Sequence, residues 1–285
     1  MSADKEGFRN SEHIGAYIDV KGFQIHYYEE GQGEPLILVH GRGQSMDCWH
    51  ENVHELAEHF RVILVDMIGW GYSDKPGLEY SIRDYGEFLG AFLDALGIQK
   101  THIGGFAEGG VYVLDFMIRH PERVEKAVLI SPGGITRHYP LMDKLFAIQY
   151  IGELCTFFVN PSSMWKRLLS TFFDETYVTE DMVDRACRPF RSRETKNVLL
   201  SSVRAWDESF VGENISGLDH PILILWGEYD KWHPRKMADR YMDALSNGTF
   251  HLIRNCGHFV QEEKPKEFNN RVIGFIKEKP EKEKS

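Results

Sequence analysis

Long hydrophobic runs are missing from this 285-residue chain. Runs such as "PLILV" and "VILV" hold five and four residues, and "PILILW" six, where about twenty are needed to cross a bilayer, so no membrane association is expected. A basic surplus is missing too. Asp and Glu number 43 against 33 Lys and Arg, a formal charge of −10, and binding to a phosphate backbone needs a basic face. Nucleic acid is therefore not expected as a partner. Cysteine is scarce: Cys48, Cys155, Cys187 and Cys256 stand far apart with no C-x-x-C pair, which fits four reduced thiols rather than a disulfide framework or a zinc site. The opening "MSADKEGFRNSEHIG" lacks the apolar core of a secretory leader. The expectation is a cytoplasmic protein that meets a small-molecule substrate and needs no cofactor or metal, with monomer and homodimer both open to it.

What is present is an ordinary globular composition, 42% hydrophobic and 27% charged, in a chain long enough for one large α/β domain with a subsidiary cap. Two early runs, "AYIDV" and "FQIHYYEE", alternate with period 2 and are joined through Lys21-Gly22, which reads as an antiparallel hairpin. The style then changes. "PLILVH" (35–40), "RVILVD" (61–66), "KAVLIS" (126–131) and "PILILW" (221–226) are short continuous aliphatic runs, and "THIGGF" (101–106) and "TFHLIR" (249–254) are weaker ones. Such runs belong in a parallel sheet covered on both faces. Between them lie helical patterns, the clearest being "SIRDYGEFLGAFLDALG". There Ser81 and Asp84 make a capping box, Ile82, Tyr85, Leu89, Phe92 and Leu96 an apolar stripe, and Gly97 a stop. The alternation predicts a doubly wound, mostly parallel α/β sheet. Residues 136–216 lack aliphatic strand runs and read as several helices. The expected organisation is a core domain of residues 1–135 and 217–285 with a helical cap, 136–216, inserted after the sixth strand. The tail "KEKPEKEKS" reads as a solvated end.

In a doubly wound sheet the ligand sits at the carboxyl ends of the strands. After the third strand comes "HGRGQS", a Gly-rich loop that brings backbone N–H groups close to a ligand. After the fifth comes "GGFAEGG", which has the frame Gly-x-Ser-x-Gly with Ala107 at its centre. After the seventh comes "WGEYDKWHP" with Asp230, and after the eighth "NCGHF" with His258. Asp66 and Asp74 in "VDMIGWGYSDKP" read as side chains that fix turns.

Taken together and in this order, "HGRG", "VDMIGWGYSDKP", "GGFAEGG", "LWGEYDKWHP" and "NCGHF" make the chain resemble a capped α/β-hydrolase from about residue 15 to residue 278. The resemblance implies roles. Asp230 would orient the imidazole of His258, and His258 would be general base and then general acid. The backbone N–H groups of Arg42 and Glu108 would form the oxyanion hole, and Ala107 would stand at the nucleophile's position. His40, Gly41, Phe106 and Phe259 are candidates for substrate contact because they flank these motifs.

Ala107 departs from the family's pattern, since a methyl group attacks nothing. The first reading is a Ser-His-Asp hydrolase whose serine has been replaced, a form that would hold substrate without turnover. A second is a member that works through a His–Asp pair alone, as cofactor-independent oxygenases and lyases on this fold do. A third is a non-catalytic binding protein. The cap is rich in Phe, Trp and Met, which suits an apolar or aromatic ligand. The segment "RACRPFRSRETK" carries four Arg, of which Arg188 or Arg191 would reach a substrate carboxylate. Carbon–carbon bond hydrolases of aromatic breakdown usually carry Asn before the nucleophile and Trp after the histidine; this chain has Phe106 and Phe259. An ester or lactone hydrolase is therefore the first expectation and a carbon–carbon hydrolase the second.

Overall fold

The computed structural model describes residues 14–135 and 141–278. Eight strands form one sheet: β1 (Ala16–Val20), β2 (Phe23–Glu30), β3 (Pro35–Val39), β4 (Arg61–Val65), β5 (Thr101–Phe106), β6 (Val124–Ile130), β7 (Ile222–Gly227) and β8 (Gly248–Ile253). Their spatial order is β1-β2-β4-β3-β5-β6-β7-β8. β1 and β2 pair antiparallel through a two-residue turn in which Lys21 and Gly22 both take positive φ, as a tight hairpin of this hand requires. The other strands run parallel. The aliphatic runs are the buried strands: β5 and β7 are buried along their whole length, and β3 and β4 at every residue but the first.

The helix Ile82–Ala95 begins on the expected capping box of Ser81 and Asp84 and buries Ile82, Tyr85, Leu89 and Phe92. The chain leaves it through Gly97 at φ 69°. Between β6 and β7 every regular element among the described residues is helical, so the insertion is the helical cap. The stretch "YPLMDKLFAIQYIGELCTFFV" splits into Leu141–Ala147 and Ile151–Thr156, and Tyr150 between them takes φ 66°. The helix Ser209–Asn214, at the end of the insertion, packs back on the core, where the Arg119 guanidinium lies 4.0 Å from the Phe210 ring centre. Residues 136–140 of the cap and 279–285 of the charged tail lie outside the described residues.

The chain runs from β3 outward to β4 and then back across to β5, so the strand order reverses between β3 and β5. The crevice at such a switch point is where this kind of sheet takes its ligand. The cap closes over it.

Candidate active site

Ala107 joins β5 to the helix Glu108–Arg119 at φ 50° and ψ −120°. This conformation is costly for any residue with a side chain, and it is held by Ala107 N–H on Ile130 O (2.9 Å) and by Gly110 and Gly133 N–H on Ala107 O. The turn closes because its neighbours are glycine. A Cβ on Gly105 would stand 2.5 Å from Gly109 O, and one on Gly109 2.5 Å from His40 O. The elbow is complete in everything except an oxygen at its tip.

Opposite the elbow, His258 Nδ1 lies 2.7 Å from Asp230 Oδ2. Asp230 Oδ1 accepts the N–H groups of Trp232 (2.9 Å) and His233 (2.8 Å). Burial pushes the Asp230 carboxyl up, but His258, His233 and the His233 N–H outweigh it and hold it below the ordinary carboxylate range. With Nδ1 on Asp230, the dyad leaves Nε2 for the cavity. The ring is packed by Phe106 (4.9 Å between centres), His233 (4.8 Å) and Trp232 (5.9 Å, stacked). Asp230, His233 and His258 carry potential metal-ligating atoms within 4.8 Å of one another. Asp230 Oδ2 and His258 Nδ1 are engaged with each other, and His233 Nδ1 is held on Ser131 O at 2.7 Å.

Of the two expected oxyanion donors, the Arg42 N–H is engaged, donating to Glu108 Oε2 at 3.3 Å. The Arg42 side chain bridges core and cap, with Nη1 2.9 Å from Asp143 Oδ2, Nη2 3.8 Å from Glu108 Oε1, and its guanidinium 4.6 Å from the Trp206 ring centre.

A cavity of about 120 Å³ lies against Gly41, Arg42, Phe106, Ala107, Glu108, His258 and Phe259. It continues into a more apolar one of about 610 Å³ beneath the cap; Phe146, Met164, Phe190 and Trp232 are common to both. His40 is not in this lining. Its Nδ1 is held on Gly41 O (2.8 Å) and its Nε2 accepts Met67 N–H (3.0 Å), so the ring fixes the "HGRG" loop. Arg188 and Arg191 do not reach the cavity either. Both are tied to Asp184, at 3.0 and 2.7 Å, because the helical spacing puts that acid within their reach. The cap arginine that does line the cavity is Arg167, on the helix Pro161–Thr171, with its guanidinium 4.2 Å from the Trp232 ring centre. No described carboxylate lies within ion-pair distance of it. Only Arg among many on a polar helix face, it carried no signal that sequence reading could use.

Two further residues escaped sequence reading. Glu263 is a buried carboxylate that accepts N–H from Gly257 (2.8 Å), Phe173 (3.0 Å) and Asp174 (3.1 Å). Thr171 O accepts His258 N–H at 2.8 Å. Together they fasten the histidine loop to the end of the cap helix. Asp66 and Asp74 fix loops as expected: Asp66 accepts N–H from Met46 (2.8 Å) and Tyr72 (2.9 Å), and Asp74 from Gln24 (2.8 Å).

A parallel sheet with a strained strand-to-helix elbow, an aspartate–histidine dyad and a helical cap defines a hydrolase of the α/β type. Residues 34–265 match the model of the alpha/beta hydrolase fold, and the chain belongs to that family. Among curated proteins it is similar to the 2-hydroxy-6-oxo-6-phenylhexa-2,4-dienoate hydrolase of Comamonas testosteroni, 30% identical over 275 residues, 92% of this chain and 94% of that one. It is likewise similar to the 2-hydroxymuconate semialdehyde hydrolase of Pseudomonas sp. (strain CF600), 29% identical over 282 residues, 95% and 96% of the two chains. Among solved structures it resembles an alanine-for-serine mutant of the meta-cleavage product hydrolase from Pseudomonas fluorescens complexed with acetates. That match has a TM-score of 0.80 and 25% identity over 92% of this chain and 97% of that one.

Proposed function

We propose that this site is of the carbon–carbon hydrolase type, takes a dienoic keto acid such as 2-hydroxy-6-oxo-6-phenylhexa-2,4-dienoate, and is held short of cleavage by Ala107. A hydrolase of such a compound has no ester to cut, so the bond it breaks is carbon–carbon. The expectation of an ester or lactone substrate rested on Phe106 and Phe259; the relatives just described, matched over nine-tenths of the chain, favour the second reading instead.

The observation that carries the proposal is Arg167. An apolar cavity with one unpaired guanidinium beside an Asp–His dyad suits a ligand with a carboxylate at one end and an apolar group at the other. His258 Nε2 moves protons on the conjugated chain between these ends. Cleavage then requires an oxygen nucleophile on the 6-oxo carbon, which Ala107 does not provide; losing a triad serine costs roughly 10⁶-fold in turnover.

Calorimetric titration with this dienoate and with its methyl ester tests the reading. The acid is expected to bind at micromolar concentration without release of benzoate, and the ester at least about tenfold more weakly. Equal binding of the two, or preference for short neutral esters, would turn the reading back to an ester hydrolase.

A further inference from the structure

We infer that His233 selects what the ligand carries at its inner end: its Nε2, on the wall of the inner cavity, accepts a hydrogen bond from a hydroxyl or amino group on an aryl ring. The placing of this acceptor is independent of the function proposed above; the choice of a dienoic keto acid to present the ring rests on it.

The side chain is fixed on every side but one. His233 is 9% exposed. Its backbone N–H donates to Asp230 Oδ1 at 2.8 Å, and its carbonyl accepts Trp226 Nε1–H at 2.9 Å. Its Nδ1 lies 2.7 Å from Ser131 O. A carbonyl oxygen only accepts, so Nδ1 carries a proton and donates it. Burial, helped by the neighbouring His258, outweighs Asp230, Glu108 and the bond to Ser131 and pushes His233 below the ordinary histidine range. The ring is therefore neutral, and with its proton on Nδ1 it has a lone pair at Nε2 and can only accept there.

No described residue donates to Nε2. His233 lines the inner cavity next to Gly133, and the missing side chain of that glycine leaves the nitrogen uncovered: a Cβ there would stand 3.6 Å from Nε2 and 3.4 Å from Cε1. Two donors of the same wall are taken. Gly133 N–H is on Ala107 O at 3.2 Å, and Trp206 Nε1–H is on Glu208 Oε2 at 2.5 Å. The wall thus offers a lone pair, and it matches a ligand O–H or N–H rather than a ligand carbonyl or ether. A plain phenyl ring would strip Nε2 of water and leave it unpaired, so the site discriminates against that ring as well as favouring its hydroxylated form.

The position agrees with the rest of the site. Arg167 belongs to both cavities, whereas His233, Gly133, Trp206 and Glu208 belong to the inner one alone. A dienoate with its carboxylate on Arg167 and its 6-oxo carbon at Ala107 carries its 6-substituent into the inner cavity. His233 meets it there, its ring centre 4.8 Å from that of His258.

Calorimetric titration compares 2-hydroxy-6-oxo-6-phenylhexa-2,4-dienoate with its 6-(3-hydroxyphenyl) and 6-(4-hydroxyphenyl) analogues. The better hydroxyphenyl compound is expected to bind roughly tenfold more tightly than the phenyl one, in line with one hydrogen bond to an otherwise unpaired acceptor. His233→Phe keeps a ring and removes the lone pair, and the ratio is expected to fall to about one. Gly133→Ala, which sets a methyl group beside Nε2, is expected to do the same and replaces His233→Phe if that variant does not fold. A second arm needs no dienoate. Nitrogen-15 NMR of histidine-labelled protein is expected to show His233 Nε2 unprotonated, with a resonance that moves on addition of phenol and stays in place with toluene. Hydroxyphenyl compounds that bind no more tightly than the phenyl one, a preference that survives both substitutions, or a proton found on Nε2 overturns the inference. A phenol-dependent shift in a protein that binds none of the dienoates overturns the function proposed above and leaves His233 standing as the acceptor.

Discussion

Asp230 has both carboxylate oxygens engaged, one by two backbone N–H groups and one by His258. Its side chain is fully buried, so these bonds replace water completely. The folded protein holds this carboxyl below its ordinary value of 3.8. A depressed acid stabilises the fold above its unfolded value, and that contribution is lost as pH falls through the lower, folded one. Asp230→Asn removes the charge and gives His258 Nδ1–H an amide in its place. It is expected to cost roughly 1–3 kcal/mol at pH 7. The gap to the parent stays constant down to about pH 4 and narrows below that. Urea midpoints for both proteins at pH 7, 4.5 and 3 measure it; a gap that already closes between pH 7 and 4.5 contradicts the assignment.

At the scale of elements, the histidine loop and the cap helix share one fastening. Gly257 has no room for a side chain: a Cβ there would stand 2.1 Å from Thr171 O. Glu263 then gathers the N–H groups of Gly257, Phe173 and Asp174 on a single buried carboxylate. Glu263→Ala leaves all three without their acceptor, a loss of roughly 1–3 kcal/mol. Hydrogen exchange should quicken at Gly257, Phe173 and Asp174 and stay unchanged in β6. Uniform acceleration across the sheet would show Glu263 to be a global support rather than this fastening. Elements whose cause is local were legible in the sequence, such as the Lys21-Gly22 hairpin, the Ser81–Asp84 box and the Gly105/Gly109 elbow. The break at Tyr150 was not. It depends on the next helix packing so closely that a Cβ on Gly152 would meet Phe146 O at 2.3 Å and Leu200 Cδ2 at 2.9 Å, and neither contact has a sequence period.

At the scale of the molecule, the motifs at the strand ends located the elbow and the dyad, because strand order alone brings those ends together. Which cap residues look into the cavity depends instead on how the cap sits on the sheet. That position is set by contacts far apart in sequence, Arg42 with Asp143 and Thr171 with His258. Charge density pointed to Arg188 and Arg191, and Asp184 holds both; cap placement points to Arg167. The distinction is measurable on the whole protein, because a ligand that binds only the folded state stabilises it by RT ln(1 + [L]/Kd), about 2.7 kcal/mol at a hundredfold excess over Kd. For a domain of this size that raises the melting temperature by roughly 5–8 °C. Arg167→Met keeps an apolar stem beside Trp232 and removes the charge. Losing a charged hydrogen bond to the ligand carboxylate costs about 2 kcal/mol, roughly a 30-fold weaker Kd. At the same dienoate concentration the stabilisation then falls to about 0.9 kcal/mol, and most of the shift disappears. Arg188→Met and Arg191→Met are expected to keep the full shift. The opposite pattern, a full shift in Arg167→Met and a lost one in Arg188→Met, would mean that the cap closes on its ligand in another position and that the carboxylate is met from the helix Glu180–Cys187 side.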